Sequence, residues 1–90
     1  MYEIKPSNRF KRDLRLAKKR AYDLRPIEAV TEDLPLAKIL DEKYRDHVLS
    51  GNYQGLRECH ITPDWLLIYK IEDNELILYL SRTGTHSDLF

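Results

Sequence analysis

The sequence lacks the features that cross a membrane or cross-link an extracellular protein. Its 90 residues include one cysteine, Cys59, so no internal disulfide can form and a reducing compartment is expected. The longest apolar runs, WLLIY and LILYL, are five residues each, far short of the roughly 20 that span a bilayer. The opening MYEIKPSNRF has no apolar segment of signal-peptide length. We therefore expect a cytoplasmic protein with no membrane partner.

Glycine and proline are also scarce, with three and four residues, and no linker, repeat or low-complexity tract is present. A chain of this length is expected to form one domain, residues 1–90. The formal net charge is zero, so overall charge does not indicate a partner. Residues 1–25 nevertheless hold nine Lys or Arg against three acidic residues. This end should carry a positive potential that attracts phosphate-bearing partners.

Hydrophobic periodicity predicts a strand and two helices in the first half. Residues 2–5 are typical of a short strand, which Pro6 stops. A helical stripe follows a cap at Ser7 or Asn8, and a second follows Asp23. The stripes are Phe10, Leu14, Ala17 and Ala21, then Leu24, Ile27, Val30 and Leu34. The next segment, residues 36–43, fits a further helical turn or an irregular segment.

The second half is patterned as strands. The runs GLRECHI, WLLIYKI and ELILYLSR are rich in β-branched, aromatic and leucine residues, and turn residues separate them. Such short links join antiparallel neighbours, and the chain is expected to leave the sheet at Gly84. The sequence thus predicts an α+β fold in which an N-terminal strand and a helical hairpin pack on a small twisted antiparallel sheet.

Two-residue turns at 62–63 and 73–74 would set the strand register. His60 would then pair with Trp65, and Trp65 with Arg82, all on one open face. Glu58, Tyr69 and Leu80 would continue that face. The face covered by helices would hold Cys59, Ile61, Leu66, Ile68, Ile77 and Tyr79. A slip of one residue in either turn would reverse this arrangement.

Polar residues on the predicted open face suggest chemistry on a phosphate. His60 lies in a strand, Asp64 follows its turn, and His86 could fold over the same edge as Arg82. Arginine binds phosphate oxygens bidentately, and imidazole exchanges protons near neutral pH. Purely structural roles remain open: a hydrogen-bonded histidine, a turn-stabilising aspartate, an arginine paired with an acid such as Glu58, and a solvated tail histidine.

A family resemblance covers most of residues 44–90. The run YRDHVLSGNYQGLRECHITPDWLLIYKI, then LILYLSRTGTHSDLF, resembles the YafQ-type branch of the RelE toxin superfamily. The shared motifs are DH-x-L-x-G, RE-x-H-x-x-PDW-x-L-x-Y and RTG-(T/S)-HS-x-LF. Residues 1–43 match the family only in the kind of elements expected, which are a strand, a basic helix and a second helix. One departure is Val48, which stands where the family often has proline, so the shape of that loop is not implied.

The resemblance implies a ribosome-dependent mRNA endonuclease that a co-expressed antitoxin neutralises, with DNA contacted only through the antitoxin complex. It also implies cleavage without metal or other cofactor. The ribose 2′-hydroxyl attacks the adjacent phosphate and leaves 2′,3′-cyclic phosphate and 5′-hydroxyl ends. The family's site residues fall on His47, His60, Asp64, Arg82, His86 and Phe90.

Roles within this set are partly open. We expect Arg82 to clamp the phosphate and His86 to be the general acid, because a flexible C-terminal segment can reach the leaving group. The sequence does not assign the roles of base, orienting group and phosphate ligand among the remaining three, His47, His60 and Asp64. A zinc site of His47, His60, His86 and Asp64 is disfavoured because the spacings match no metal signature. We expect Cys59 to be buried and inert, and Trp65 and Tyr69 to pack in the structure.

The basic first helix is expected to contact ribosomal RNA. Its candidate residues are Arg9, Lys11, Arg12, Arg15, Lys18, Lys19 and Arg20. Two other functions remain open. A gyrase-poisoning, ParE-like toxin on the same fold would need no acid–base constellation, and an inactive toxin would act only as a co-repressor with its antitoxin.

Overall fold

A computed structural model describes residues 3–33, 45–49, 51–72 and 74–90, in which helices pack on a five-stranded sheet. This confirms the predicted α+β class. No helix in these ranges is long and apolar enough to cross a membrane. The elements are β1 (Glu3–Pro6), α1 (Asn8–Lys19), α2 (Arg25–Asp33), β2 (His47–Val48), a 3-10 turn (Gly51–Tyr53), β3 (Arg57–Thr62), β4 (Trp65–Glu72), β5 (Ile77–Gly84) and α3 (His86–Leu89).

The strand order is β1-β5-β4-β3-β2, and every neighbouring pair is antiparallel except β1 and β5. The first strand is parallel to the last, and a parallel pair needs a long connection, which here passes through α1 and α2. The sheet is therefore mixed at one edge. At the other edge, the short strand β2 pairs with β3; the sequence patterns did not predict it.

The first helix begins where the sequence predicts. Ser7 is its N-cap, since the Ser7 hydroxyl accepts a hydrogen bond from the Phe10 N–H at 3.0 Å. The same hydroxyl donates to the Ser81 carbonyl at 2.7 Å and so ties the helix start to β5. Asp23 accepts from the Arg25 N–H at 3.0 Å at the start of α2. Leu34 and residues 36–43 lie outside the described residues.

The sheet separates two apolar clusters. The larger lies between the sheet and the helices, and contains Phe10, Ala17, Ile27, Val30, Cys59, Ile61, Trp65, Leu67, Tyr69, Leu78 and Leu80. The smaller lies on the opposite face, where Leu66, Ile68 and Leu89 are buried against Leu49, Tyr53 and Leu56. Both faces of the central strand β4 are therefore covered, which explains its nearly uninterrupted apolar run.

The predicted register is wrong at both turns. Thr62 pairs with Trp65 across a turn at residues 63–64, and β4 ends at Glu72 while β5 begins at Ile77. The pairing also shifts at two irregularities, between His60 and Thr62 and opposite Ile68 and Tyr69. Each shift adds one residue to one strand of a pair. The sequence patterns carried no signal for either shift.

These shifts move several side chains to the other face. Trp65, Tyr69 and Leu80 belong to the helix-side cluster, contrary to prediction. Leu66 and Ile68 lie instead on the same face as His60. In β5, Ile77 and Tyr79 alternate with Leu78 and Leu80, so their side chains point away from the helices. The pairs are His60 with Leu66 and Ile68 with Arg82, so His60 and Arg82 still share a face.

Candidate active site

One cleft brings together three of the predicted site residues. It has a volume of about 640 Å³, and His60, Asp64 and His86 all line it. Strand β3 supplies His60, the following turn supplies Asp64, and α3 supplies His86. The other lining residues are Tyr22, Pro63, Leu66, Thr85 and Ser87. Two imidazoles and a carboxylate around one cleft can accept, donate and orient protons.

A buried carboxylate, Glu58, lies beside His60. Its Oε1 is 3.4 Å from Nε2 of His60 and 3.4 Å from Nε2 of His47, while Glu58 is only 5% exposed. The carboxylate can therefore orient both rings and stabilise a positive charge on either. Sequence reasoning assigned no role in the site to Glu58. The signal was present, because residues two apart in a strand share a face.

His47 joins the site through Glu58 and does not line the cleft itself. Strand β2 places it directly opposite Glu58, and its ring centroid is 6.3 Å from that of His60. Its Nδ1 lies 2.7 Å from the Arg45 carbonyl. A carbonyl only accepts hydrogen bonds, so Nδ1 carries a proton and the orientation of the ring is set. Val48, at the departure from the family pattern, continues β2 and pairs with Arg57.

The C-terminal segment is held in place, so the prediction that it is flexible is wrong. Thr85 and Asp88 form a reciprocal capping box at the start of α3. Leu89 is buried, and the Tyr53 hydroxyl donates to its carbonyl at 3.0 Å. His86 is therefore presented to the cleft by a docked helix.

The predicted aromatic, Phe90, supports His86 directly. Its ring stacks on the His86 imidazole with centroids 4.9 Å apart, and it contacts the Tyr53 ring edge-on at 5.3 Å. Phe90 is itself 57% exposed. One ring face thus orients the imidazole, while the exposed surface remains accessible to a ligand.

Arg82 is paired with Asp13 of α1, and not with Glu58. Its Nε and Nη2 donate to the two oxygens of that carboxylate at 2.9 and 3.2 Å, and this hydrogen bonding raises the pKa of Arg82. Asp13 also accepts from the Thr83 N–H at 3.1 Å, because β1 covers β5 only as far as Leu80. The remaining N–H groups of the guanidinium can still bind an anion.

Burial accounts for the predicted inertness of Cys59. The thiol is buried on the helix side, and burial raises its pKa to about 12. Neighbouring His60 faces the other way, so the two cannot act as a nucleophile–base pair. Tyr69 packs in the structure as predicted, but in this helix-side cluster and not on the predicted open face. Its hydroxyl donates to Asp46 at 2.7 Å, and burial is the main cause of its raised pKa.

The seven candidate RNA-binding residues are all exposed on or directly after α1. Two of them, Arg9 and Arg12, line a groove of about 330 Å³ together with Asp13, Leu16 and Arg82. Arg20 pairs with Asp88 of the α3 capping box at 3.0 Å. None of the seven lines the cleft of His60, Asp64 and His86, and besides Arg20 four of them do not line this groove either. These are Lys11, Arg15, Lys18 and Lys19.

The histidines and carboxylates of the site bear on metal binding. Within residues 3–33, 45–49, 51–72 and 74–90, no group of three or more His, Cys, Asp or Glu side chains is arranged to hold a metal ion. The alternative zinc set of His47, His60, His86 and Asp64 is therefore not assembled as a ligand group.

Known proteins resemble the chain over its whole length. A family model described as "Bacterial toxin of type II toxin-antitoxin system, YafQ" matches residues 2–90. The mRNA interferase toxin YafQ of Escherichia coli (strain K12) is 38% identical over 93 residues, which cover 98% of this chain and 95% of that protein. The crystal structure of a metal-bound toxin from Helicobacter pylori has a TM-score of 0.92 and 41% identity, covering 100% of both chains. A chain in the crystal structure of the E. coli DinJ-YafQ complex has a TM-score of 0.90 and 37% identity, covering 100% of this chain and 99% of that chain. The chain belongs to the YafQ family of bacterial toxins of type II toxin–antitoxin systems.

Proposed function

We propose that this chain is a RelE-superfamily toxin that cleaves mRNA on the ribosome. The observation that carries the proposal is the cleft in which His60, Asp64 and His86 converge, with Glu58 beside His60. The E. coli relative named an mRNA interferase supports the same reaction class. An acid–base site of this kind suits attack by a ribose 2′-hydroxyl, because the nucleophile is already part of the RNA.

The reaction needs a base, an acid and stabilisation of the charged phosphorane. A base takes the 2′-hydroxyl proton as the 2′-oxygen bonds to phosphorus, and the bond from phosphorus to the 5′-oxygen breaks. The products are a 2′,3′-cyclic phosphate and a 5′-hydroxyl. We propose His60 or Asp64 as the base, with His47 and Glu58 supporting His60. His86 donates the proton to the departing 5′-oxygen. Base and acid each contribute roughly 10²- to 10⁴-fold.

In this proposal, Arg82 stabilises the negative charge of the phosphorane. Asp13 holds two donors of its guanidinium, which fixes the plane of the group while other N–H groups remain for a phosphate oxygen. Preorganised donors of this kind need no reorientation when negative charge develops. Phe90 keeps the His86 ring in place through their stacking contact. Each of the six predicted site residues thus has a role to test.

We further propose that the chain acts in the cytoplasm as one domain and binds a cognate antitoxin, contacting DNA only through that complex. The E. coli relative forms a complex with DinJ. We expect cleavage to proceed without a bound metal. EDTA should leave the rate intact on ribosomes that retain their magnesium, and rescue by added zinc after chelation would contradict this. The measurement matters because the H. pylori relative is a metal-bound toxin.

The test of the proposed function is His86→Gln, measured as a single-turnover rate on programmed ribosomes. Loss of a general acid should slow cleavage by at least about 10²-fold while ribosome binding persists. The control is Glu75→Gln, an exposed change in the β4–β5 connection, which should cleave at the wild-type rate. A His86→Gln protein within a few-fold of wild type would remove His86 from the mechanism.

Mapping the 5′ ends of cellular mRNA after brief induction tests the function as a whole. New ends within translated codons support a ribosome-dependent nuclease. DNA damage without such ends would indicate gyrase poisoning, and neither outcome would indicate an inactive antitoxin-binding chain.

A further inference from the structure

An aromatic residue outside the predicted site, Tyr22, borders the catalytic cleft. It lies in the turn after α1, where Ala21 adopts a left-handed conformation with φ of 61°. The Tyr22 N–H donates to the Ala17 carbonyl at 3.0 Å, and the Ala21 N–H donates to the Lys18 carbonyl at 3.0 Å. Such a helix C-cap fixes the direction in which the chain leaves the helix. The backbone of Tyr22 is therefore well defined.

The ring of Tyr22 rests on a buried aromatic side chain. Its centroid is 5.8 Å from that of Trp65, and the two ring planes are inclined at 60°. Trp65 is 6% exposed and belongs to the helix-side core, whereas Tyr22 is 38% exposed. A rigid support thus lies on one side of Tyr22, and solvent-accessible ring surface remains on the other.

Tyr22 also borders both parts of the proposed site, the cleft with the two histidines and the cavity next to Arg82. It lines the cleft that holds His60, Asp64 and His86. It also lines a smaller cavity of about 130 Å³ that reaches Asp13 and Arg82. A phosphate held between the histidines and Arg82 would place the attached nucleosides beside this ring.

We propose that Tyr22 is a base-binding residue that stacks on a nucleobase adjoining the scissile phosphate. The inference rests on the proposed RNA cleavage and names one contact that positions the substrate. Every base has a flat π face, and a base–aromatic stack contributes enough binding energy to matter, commonly 5-fold or more in affinity. Because stacking tolerates any base, Tyr22 would hold the RNA in place without selecting its sequence.

Tyr22→Leu separates stacking from packing. Leucine still covers Trp65 with apolar surface but has no flat face for a base. On programmed ribosomes we expect the Leu variant to raise KM by at least about fivefold with kcat nearly unchanged. Tyr22→Phe keeps the ring and should behave like wild type. Circular dichroism and cooperative thermal unfolding should show that both variants are folded.

Abasic RNA supplies the decisive comparison. Messages are made with an abasic ribonucleotide, which keeps its 2′-hydroxyl, on either side of the scissile bond. At the stacked position, loss of the base should raise the wild-type KM by the same factor as Tyr22→Leu, and combining the two changes should add nothing. The inference would be overturned if Tyr22→Leu and the missing base raised KM multiplicatively at both positions. It would also be overturned if the Leu variant had the same KM as an active wild-type protein. A wild-type protein that cleaves no message would overturn the proposed function as well.

Discussion

Glu58 has a buried carboxylate, and its Oε1 lies 3.4 Å from Nε2 of His47 and 3.4 Å from Nε2 of His60. A buried charge without close, strong partners is costly to stability. We therefore expect Glu58→Gln to unfold at the same temperature as wild type or higher. Its cleavage rate should nevertheless fall by at least about tenfold, the effect of one lost interaction with a charged group.

Thermal unfolding and single-turnover cleavage of the same Glu58→Gln preparation check this expectation. The control is Glu72→Gln, which removes a half-buried carboxylate paired with Lys70 at the far end of β4. A second check is a double-mutant cycle. If Glu58 acts through His60, its substitution should have little further effect in a His60→Gln background. Equal losses in both backgrounds would contradict that role.

Among the elements, α1 and β5 are joined by Asp13, which binds Arg82 through two hydrogen bonds and the Thr83 N–H through a third. Both charged side chains are mostly buried. Removing one partner of such a pair leaves the other charge uncompensated, so Asp13→Asn should lower the free energy of unfolding by about 3 kcal/mol. The urea midpoint should fall with the slope m unchanged.

The exposed pair of Asp23 and Arg25 provides the comparison, and Asp23→Asn should leave the urea midpoint where it is. Adding Arg82→Gln to Asp13→Asn should cost less than the sum of the single changes, because the uncompensated charge is then absent. Full additivity would show that the two side chains stabilise the fold independently.

The docking of α3 should depend on pH through Asp88. Hydrogen bonding from the Thr85 backbone, then from the Thr85 side chain and Arg20, lowers the pKa of Asp88. A carboxyl with a lowered folded-state pKa stabilises the fold above its unfolded value of about 3.9, and this stabilisation is lost as pH falls through the folded pKa. We expect α3 to loosen only below about pH 4.

The ring signals of His86 and Phe90 in an NMR titration should report this change, since the two rings stack in the folded structure and α3 carries His86. In Asp88→Asn the transition below about pH 4 should be absent. Persistence of the same transition in that variant would assign it to another carboxyl.

Local patterns in the sequence predicted the elements well and their register poorly. Capping predicts the start of α1 at Ser7, and hydrophobic alternation predicts the strands in the C-terminal half. The two shifts, near Ile61 and Ser81, leave no such pattern, and each moves the following residues to the other face. His60 and Arg82 kept a common face because their partners Leu66 and Ile68 lie two residues apart in β4. The Asp13–Arg82 pair spans 69 residues, and no local signal indicates it.

Charge is unevenly distributed over the protein although the formal net charge is zero. The basic residues of α1 are exposed, and two of them, Arg9 and Arg12, line the groove that also contains Arg82. If this helix docks on ribosomal RNA, each phosphate contact contributes about 0.7 to 0.9 log units of affinity per decade of salt. Replacing Arg12, Arg15 and Lys19 with Gln should flatten the salt dependence of ribosome binding by up to about 2 to 3 log units per decade.

A variant with the same loss of charge elsewhere separates docking from net charge. Lys5, Arg25 and Lys70 are exposed and lie outside α1, so their replacement with Gln should leave the salt slope close to that of wild type. Cleavage at saturating ribosome should remain near normal in both triple variants, since neither changes a residue of the cleft. Equal slopes in the two variants would exclude α1 as the docking surface, because a specific contact depends on where the charges lie and not only on their number.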